Sequence, residues 1–285
     1  MLDTILKRFT QEDPRNKVPK HKRIEHIMGK AINDPLVNKH LYNGLLPPNL
    51  IKGKTVLDCG PYIFLSGAWS LYHSASFVTG VELNRAFVSI GKKTIDEFYN
   101  DTQYDLQHRT IEDLVQNDDN FYDVILIAGT IQKLPNKHDF LHWAVEHSNY
   151  IIIESNQTSM WHYLLEKPKW WTEPETTVFD SVYKNFDKEI LNELLNSEKY
   201  GAWFQDFIEN KLPLHQYSIN TAWSKIGGTS RNTATNYVSP NFFEYFFTYK
   251  GWEYQSIHSD YLTKHMPDYY TFPRRYCVAY KKVGT

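Results

Sequence analysis

Lys54-Thr55-Val56-Leu57-Asp58-Cys59-Gly60 is the stretch that decides the fold. It is a short apolar run ending in an acid and a glycine, the pattern of a buried parallel strand entering a tight turn. Beyond it, residues 66–74 are small and apolar enough for a helix. Phe77-Val78-Thr79-Gly80-Val81-Glu82 then reads as a second strand, again closed by a carboxylate. Strand, turn, helix and strand in that length make a βαβ unit, whose right-handed crossover puts both strands in one parallel sheet.

Working outward, the alternation continues. A helix is expected over 85–99, a strand over 105–109, and the strand Tyr122-Asp123-Val124-Ile125-Leu126-Ile127-Ala128 follows. A helix over 137–146 then precedes Tyr150-Ile151-Ile152-Ile153-Glu154. Five strands separated by helices predict a doubly wound α/β sheet, with its ligand outside the carboxyl ends of the strands where their order reverses.

Upstream, residues 1–50 form a helical lead-in outside the core, with fragments such as 24–32 between loops carrying Pro35, Pro47 and Pro48. Residues 51–154 are the half that carries the five parallel strands and the expected ligand edge. Over 155–240 the rhythm stops. This insertion carries Trp161, Trp170, Trp171, Trp203 and Trp223, a helical stretch at 187–196, and the loop Gly227-Gly228-Thr229-Ser230-Arg231-Asn232. Residues 241–285 complete the sheet. Ser239-Pro240 caps a helix over 242–250 that Gly251 ends. Trp252-Glu253-Tyr254-Gln255-Ser256-Ile257 and Arg275-Tyr276-Cys277-Val278-Ala279-Tyr280 supply two last strands joined by a polar loop.

Composition narrows the class. With 285 residues, 41% hydrophobic and 22% charged, the chain is an ordinary globular protein, while 15% aromatic residues suit either a stacking surface or an aromatic core. A net charge of −2 gives no global field toward nucleic acid or an anionic membrane. The one basic cluster, Arg15, Lys17, Lys20, Lys22 and Arg23, lies in a stretch broken by Pro14 and Pro19 and reads as a solvated tail or a phosphate contact. Cys59 and Cys277 are too few for a disulfide framework or a zinc site and sit in apolar runs. No secretory signal or membrane span is apparent, so a cytoplasmic protein with no membrane partner is expected.

The order of parts resembles the class I S-adenosylmethionine-dependent methyltransferases, over about 54–154 and again over 242–282. That family has a Rossmann-like, seven-stranded, mostly parallel sheet whose last strand is antiparallel and inserted beside the fifth. The resemblance implies S-adenosyl-L-methionine as cofactor. Asp58 and Gly60 would lie under its methionine end, where an acid balances the ammonium group. Glu82 would accept both ribose hydroxyl protons. Thr110, Ile111 and Glu112 would border the adenine, and the backbone at Ala128 and Gly129 the sulfonium. One departure stands out: the family carries further glycines two and four residues after the first, where this chain has Tyr62 and Phe64. These rings either narrow the pocket, stack on the ligand or abolish binding.

Methyl transfer is an in-line displacement in which the cofactor carries most of the chemistry. The insertion is the expected seat of acceptor recognition, with His162, His215, Tyr217 and Arg231 as candidate catalytic or clamping residues. Zincin histidines, a calcium loop, Gly-x-Ser-x-Gly and the phosphate-binding Gly-x₄-Gly-Lys-Ser/Thr are all absent, so no metal centre, hydrolase or NTPase is expected. The Asp/Asn-Pro-Pro-Tyr signature of nucleic-acid amino-methylation is absent too. Three readings stay open: a methyltransferase acting on a small-molecule or nucleoside-like acceptor, one directed at RNA or DNA, and a non-catalytic protein that kept the fold.

Overall fold

The computed structural model describes residues 1–14, 35–134, 136–156, 240–266, 270 and 275–284. Its sheet has seven strands: β1 (Thr55–Cys59), β2 (Phe77–Glu82), β3 (Tyr104–His108), β4 (Tyr122–Ala128), β5 (Ser148–Asn156), β6 (Trp252–Tyr254) and β7 (Arg275–Lys282). They lie in the order β3-β2-β1-β4-β5-β7-β6. Neighbours among β1 to β5 run parallel, and β7 is antiparallel to both β5 and β6. This is the expected Rossmann-like sheet with an antiparallel last strand, and the aromatic-rich insertion separates β5 from β6 in the chain. The strand order reverses between β1 and β4, which makes the carboxyl ends of those two strands the crevice of the fold.

Period-two alternation splits the core into two faces. Val56, Val124, Leu126 and Ile152 join one apolar cluster, while Leu57, Cys59, Ile125, Ile127, Ile151 and Ile153 join the other. The first face is covered by α1 (Leu2–Glu12), α2 (Pro35–Leu45), α4 (Leu65–Tyr72), α5 (Arg85–Ile95) and α9 (Ile257–His265), with α3 (Pro48–Ile51) a single turn before β1. The second is covered by α6 (Ile111–Asn117), α7 (Lys137–Glu146) and α8 (Pro240–Tyr249).

Two expectations are corrected. The N-terminal stretch is part of the core: Ile5, Leu6 and Phe9 in α1 are fully buried. Their spacing puts all three on one side of a helix, and at ~1.5–3 kcal/mol per large apolar side chain this face is what docks α1. Arg8 fastens it further through two nitrogens to the Glu97 carboxylate, with Nε 2.8 Å from Oε2 and Nη2 2.6 Å from Oε1. The last two strands are joined by α9 and not by a polar loop. The strand reading of Ile257 fails because β6 stops at Tyr254, and His258 and Leu262, four residues apart, bury one side of a helix. The helical stretches expected at 24–32 and 187–196 lie outside the described residues.

Candidate functional site

The turn after β1 is built as a glycine turn without the glycines. Gly60 has φ of 82°, and Tyr62 and Phe64 follow at 57° and 67°, the left-handed region that side chains avoid. Each such residue costs on the order of 1–2 kcal/mol, so surrounding structure must hold it. Phe64 is held by packing. Its ring is fully buried below α4 and β2, over Gly67 and Gly80; a Cβ on Gly67 would collide with the ring, and one on Gly80 would come within 2.6 Å of it. The glycines that the turn lacks are thus found in the elements facing the ring. Tyr62 turns toward α5 and α1, edge-on to Phe87 with centroids 4.3 Å apart, and its hydroxyl donates to Asp13 at 3.1 Å. The question left by the sequence has a geometric answer for Phe64, whose ring enters the core.

Glu82, buried at the end of β2, faces this turn. Its Oε2 accepts the Tyr62 backbone N–H at 3.1 Å and its Oε1 that of Asn84 at 2.8 Å. Burial pushes its carboxyl up, against the pull of the two backbone N–H groups and of nearby Lys133 and His108. Asp58 shares the same sheet face, as its neighbours Leu57 and Cys59 point to the other. It is almost fully buried and accepts a hydrogen bond from the Ser66 hydroxyl. Burial raises its carboxyl to about 7; the Ser66 bond opposes this and the nearby Glu82 charge adds to it.

The remaining sequence candidates divide. Thr110 caps α6, its hydroxyl accepting the Asp113 N–H at 3.0 Å, which brings the buried Ile111 and half-buried Glu112 into the first turn beside the carboxyl end of β3. Ala128 and Gly129 sit half-buried at the tip of β4, across the crevice from Gly60. Gly129 has φ of 64° and donates its N–H to the Glu154 carbonyl at 2.8 Å. Asp58, Gly60, Tyr62, Glu82, Thr110, Ile111, Glu112, Ala128 and Gly129 therefore all fall on the carboxyl edge of the sheet. His162, His215, Tyr217, Arg231 and the basic cluster from Arg15 to Arg23 lie outside the described residues.

Three residues at this edge escaped the sequence reading: Ser66, Asp13 and Glu154. Thr130 stands against Gly60, where a Cβ would strike its hydroxyl. Glu154 pairs with Ala128 in the β4–β5 register and is 2% exposed. A signal existed for it, since Ile151-Ile152-Ile153-Glu154 ends in an acid much as β1 and β2 do. A groove of about 550 Å³ lined by Lys92, Asp96, Asp101, Tyr104, Asp105 and Leu106 lies at the other end of β3, away from this edge.

Neither a protein-family model nor a curated protein sequence matches the chain. Solved structures do. A candidate S-adenosylmethionine-dependent methyltransferase from Listeria monocytogenes superposes with a TM-score of 0.53 at 15% identity, over 85% of this chain and 96% of that one. An S-adenosylmethionine-dependent methyltransferase from Mesorhizobium loti gives 0.49 at 12% identity, over 85% and 95%. The chain shares the fold of the Listeria structure, and at this identity the likeness is one of fold.

In an open α/β sheet the ligand site lies outside the carboxyl ends of the strands at the switch point. Here the β1 turn and the acid ending β2 lie at that edge. What differs is how the turn is held: by a buried phenyl ring and a tyrosine latched to α1, where small residues would need no such support. Among the described residues no helix is long and apolar enough to cross a membrane, and no group of three or more metal-ligating side chains converges.

Proposed function

We propose that the protein is an S-adenosylmethionine-dependent methyltransferase acting on a small-molecule or nucleoside-like acceptor. The observation that carries this reading is the orientation of Glu82, whose carboxylate lies across the left-handed β1 turn with each oxygen held by a backbone N–H. An oxygen so held keeps a second lone pair for a hydroxyl proton. A ribose diol presents two such protons, so Glu82 is the residue for the ribose.

The residues at the edge fit the rest of the donor. Asp58 is suited to its ammonium group, because a nearby cation favours ionisation of an acid that burial has raised to about 7. Gly60 and the Tyr62 backbone let the chain approach closely, and the Phe64 ring, being in the core, does not take up the open side of the turn. Ile111 with Thr110 and Glu112 would border the adenine, and Ala128 and Gly129 the reacting end. Thr130 must turn away from Gly60 to admit the methionine portion between the β1 and β4 turns. When bound, the sulfonium supplies the methyl group and the driving force for its transfer. The chain's own work is alignment and exclusion of water, and holding acceptor and methyl at attack distance is worth ~7–11 kcal/mol in favourable cases.

Against the non-catalytic alternative raised by Tyr62 and Phe64 speaks the burial of the Phe64 ring, which lies in the core and not over the turn. The test is calorimetric titration with S-adenosylhomocysteine. Wild-type protein binds it, and Glu82→Ala weakens binding at least about tenfold, the loss expected for hydrogen bonds to a charged group. A wild type that gives no binding heat and no thermal shift overturns the reading.

A further inference from the structure

We infer that Glu154 is the acceptor-side carboxylate of the crevice, and that the acceptor offers it a proton from the attacking nitrogen or oxygen. This rests on the methyltransferase reading, and it narrows the acceptor to amines and hydroxyl compounds, setting aside carbon and thioether nucleophiles.

The argument begins with position. Glu154 and Ala128 are register partners at the carboxyl ends of β5 and β4. Alternation puts the Glu154 side chain on the face shared with Asp58 and Glu82, since Ile153 belongs to the opposite cluster and Ile152 to this one. Its Oε2 lies 3.8 Å from where a Cβ on Gly129 would be. A side chain at 129 would separate this carboxylate from the edge where the donor's reacting end is placed, and glycine leaves that approach open.

The second point is cost. At 2% exposure the carboxylate sits among Gly129 and, on β7, Tyr276 and Cys277, whose ionisation its charge opposes. Removing a carboxylate from water is expensive, and a fourth isoleucine after Ile151-Ile152-Ile153 would avoid the penalty. A buried acid needs polar company, and an acceptor N–H or O–H approaching past Gly129 would add to what the fold itself provides.

The third is rigidity. Ser155 Oγ donates to Gln132 Oε1 at 3.1 Å, Gln132 Nε2 donates to the Gly129 carbonyl at 3.0 Å, and the Gly129 N–H donates to the Glu154 carbonyl at 2.8 Å. This ring ties the β4 turn to β5, so the backbone from which the Glu154 side chain projects and the backbone bordering the methyl hold one spacing. Such supporting bonds are what a reacting group needs to stay in line.

The chemistry balances. The acceptor nucleophile gives its lone pair to the methyl carbon and displaces the donor's sulfur, which leaves with the carbon–sulfur electron pair as a neutral thioether. The proton that nitrogen or oxygen sheds passes to Glu154 and from there to solvent.

The test compares two ligands that differ at the reacting end only. In sinefungin a carbon bearing a primary amine, protonated at neutral pH, replaces the sulfur and its methyl; S-adenosylhomocysteine has nothing there. Calorimetry on the wild type at neutral pH shows sinefungin preferred by about tenfold, the worth of one charge-assisted hydrogen bond. Glu154→Gln removes that preference and keeps S-adenosylhomocysteine affinity within about twofold, which also shows the variant folded. Should the Gln variant not fold, Glu154→Asp, with its carboxylate drawn back, lowers the preference instead. A wild type that binds both ligands equally, or a variant that keeps the full preference, overturns the role of Glu154 and leaves the donor reading standing. Failure of the wild type to bind either ligand overturns both.

Discussion

In the amino-terminal half of β5, Tyr150, His258 and the Gly44 carbonyl form a closed chain of hydrogen bonds. At the carboxyl ends of β1 and β2, Asp58 and Glu82 are buried as acids around a left-handed turn. The first cluster is fully matched. A carbonyl only accepts, so His258 Nδ1 donates to Gly44 at 2.7 Å, which leaves Nε2 to accept the Tyr150 hydroxyl at 2.8 Å. A neutral histidine fits this chain and an imidazolium does not, and burial lowers its pKa to about 4. The second cluster is matched in part, by backbone N–H groups and one serine hydroxyl, and it holds acids whose charge burial opposes. A cluster with every donor and acceptor spent is structural, tying α2 and α9 to the sheet. One that keeps charge and lone pairs in reserve is arranged for something that arrives later.

The largest expected effect comes from Asp58. Its pKa rises from about 3.9 in the unfolded chain to about 7 in the folded one, so the folded state holds an extra proton between those values. Stability is therefore greatest in acid and declines as pH rises through 7, by on the order of 4 kcal/mol. Asp58→Asn, a neutral mimic that can still accept from Ser66, should raise the unfolding free energy at pH 8 by up to about that amount in urea denaturation. The same substitution should weaken S-adenosylhomocysteine about tenfold through loss of the partner for its ammonium group. It should also abolish a proton release on binding, about half a proton at pH 7, which calorimetry in buffers of different ionisation enthalpy detects. A variant that is stabilised and binds normally would make Asp58 a mere packing fault and erase the contrast between the two clusters.

His258 gives the opposite slope. The unfolded chain protonates near 6.5 and the folded one near 4, so between those values the unfolded state holds the extra proton and stability falls as pH drops, by about 3 kcal/mol. Over this window the two groups largely cancel in the wild type. Denaturation of Asp58→Asn at pH 7 and pH 4 should expose the histidine's slope as a loss of about 3 kcal/mol, and adding His258→Gln should flatten it. A loss that survives the second substitution would place the acid sensitivity elsewhere.

How much of this was open to sequence follows from which forces are local. The parallel strands announced themselves because strands buried on both faces read as apolar runs, and β1, β2 and β5 each carry an acid at or near the carboxyl end. The places of Asp58 and Glu82 at the carboxyl edge were legible for the same reason: a strand end fixes where its next side chain goes. What sequence could not convey is compensation at a distance. Phe64 looked like an obstacle because its ring's place is made by Gly67 and Gly80, which a motif counted along the turn does not weigh. The His258 cluster was hidden because Gly44, Tyr150 and His258 are brought together only by the sheet. α9 was mistaken for a loop because its buried face rests on two residues, His258 and Leu262.

The smallest effect tests whether the carboxyl edge also stores backbone strain. Any truncation of Tyr62 forfeits the contact with Phe87 and the hydrogen bond to Asp13, so the informative quantity is the difference between two truncations. At an ordinary position alanine is more stable than glycine, because glycine loses more freedom on folding. At φ of 57° the order reverses: alanine keeps the clash of Cβ with the backbone and glycine has none. Tyr62→Gly should therefore be more stable than Tyr62→Ala by about 1 kcal/mol, and both should retain S-adenosylhomocysteine binding, since the N–H that holds Glu82 belongs to the backbone. Alanine proving the more stable would mean that the turn relaxes out of the left-handed region once the ring is gone. The Tyr62 latch to α1 would then be what creates the glycine-like shape, and the strain would belong to the packing and not to the turn.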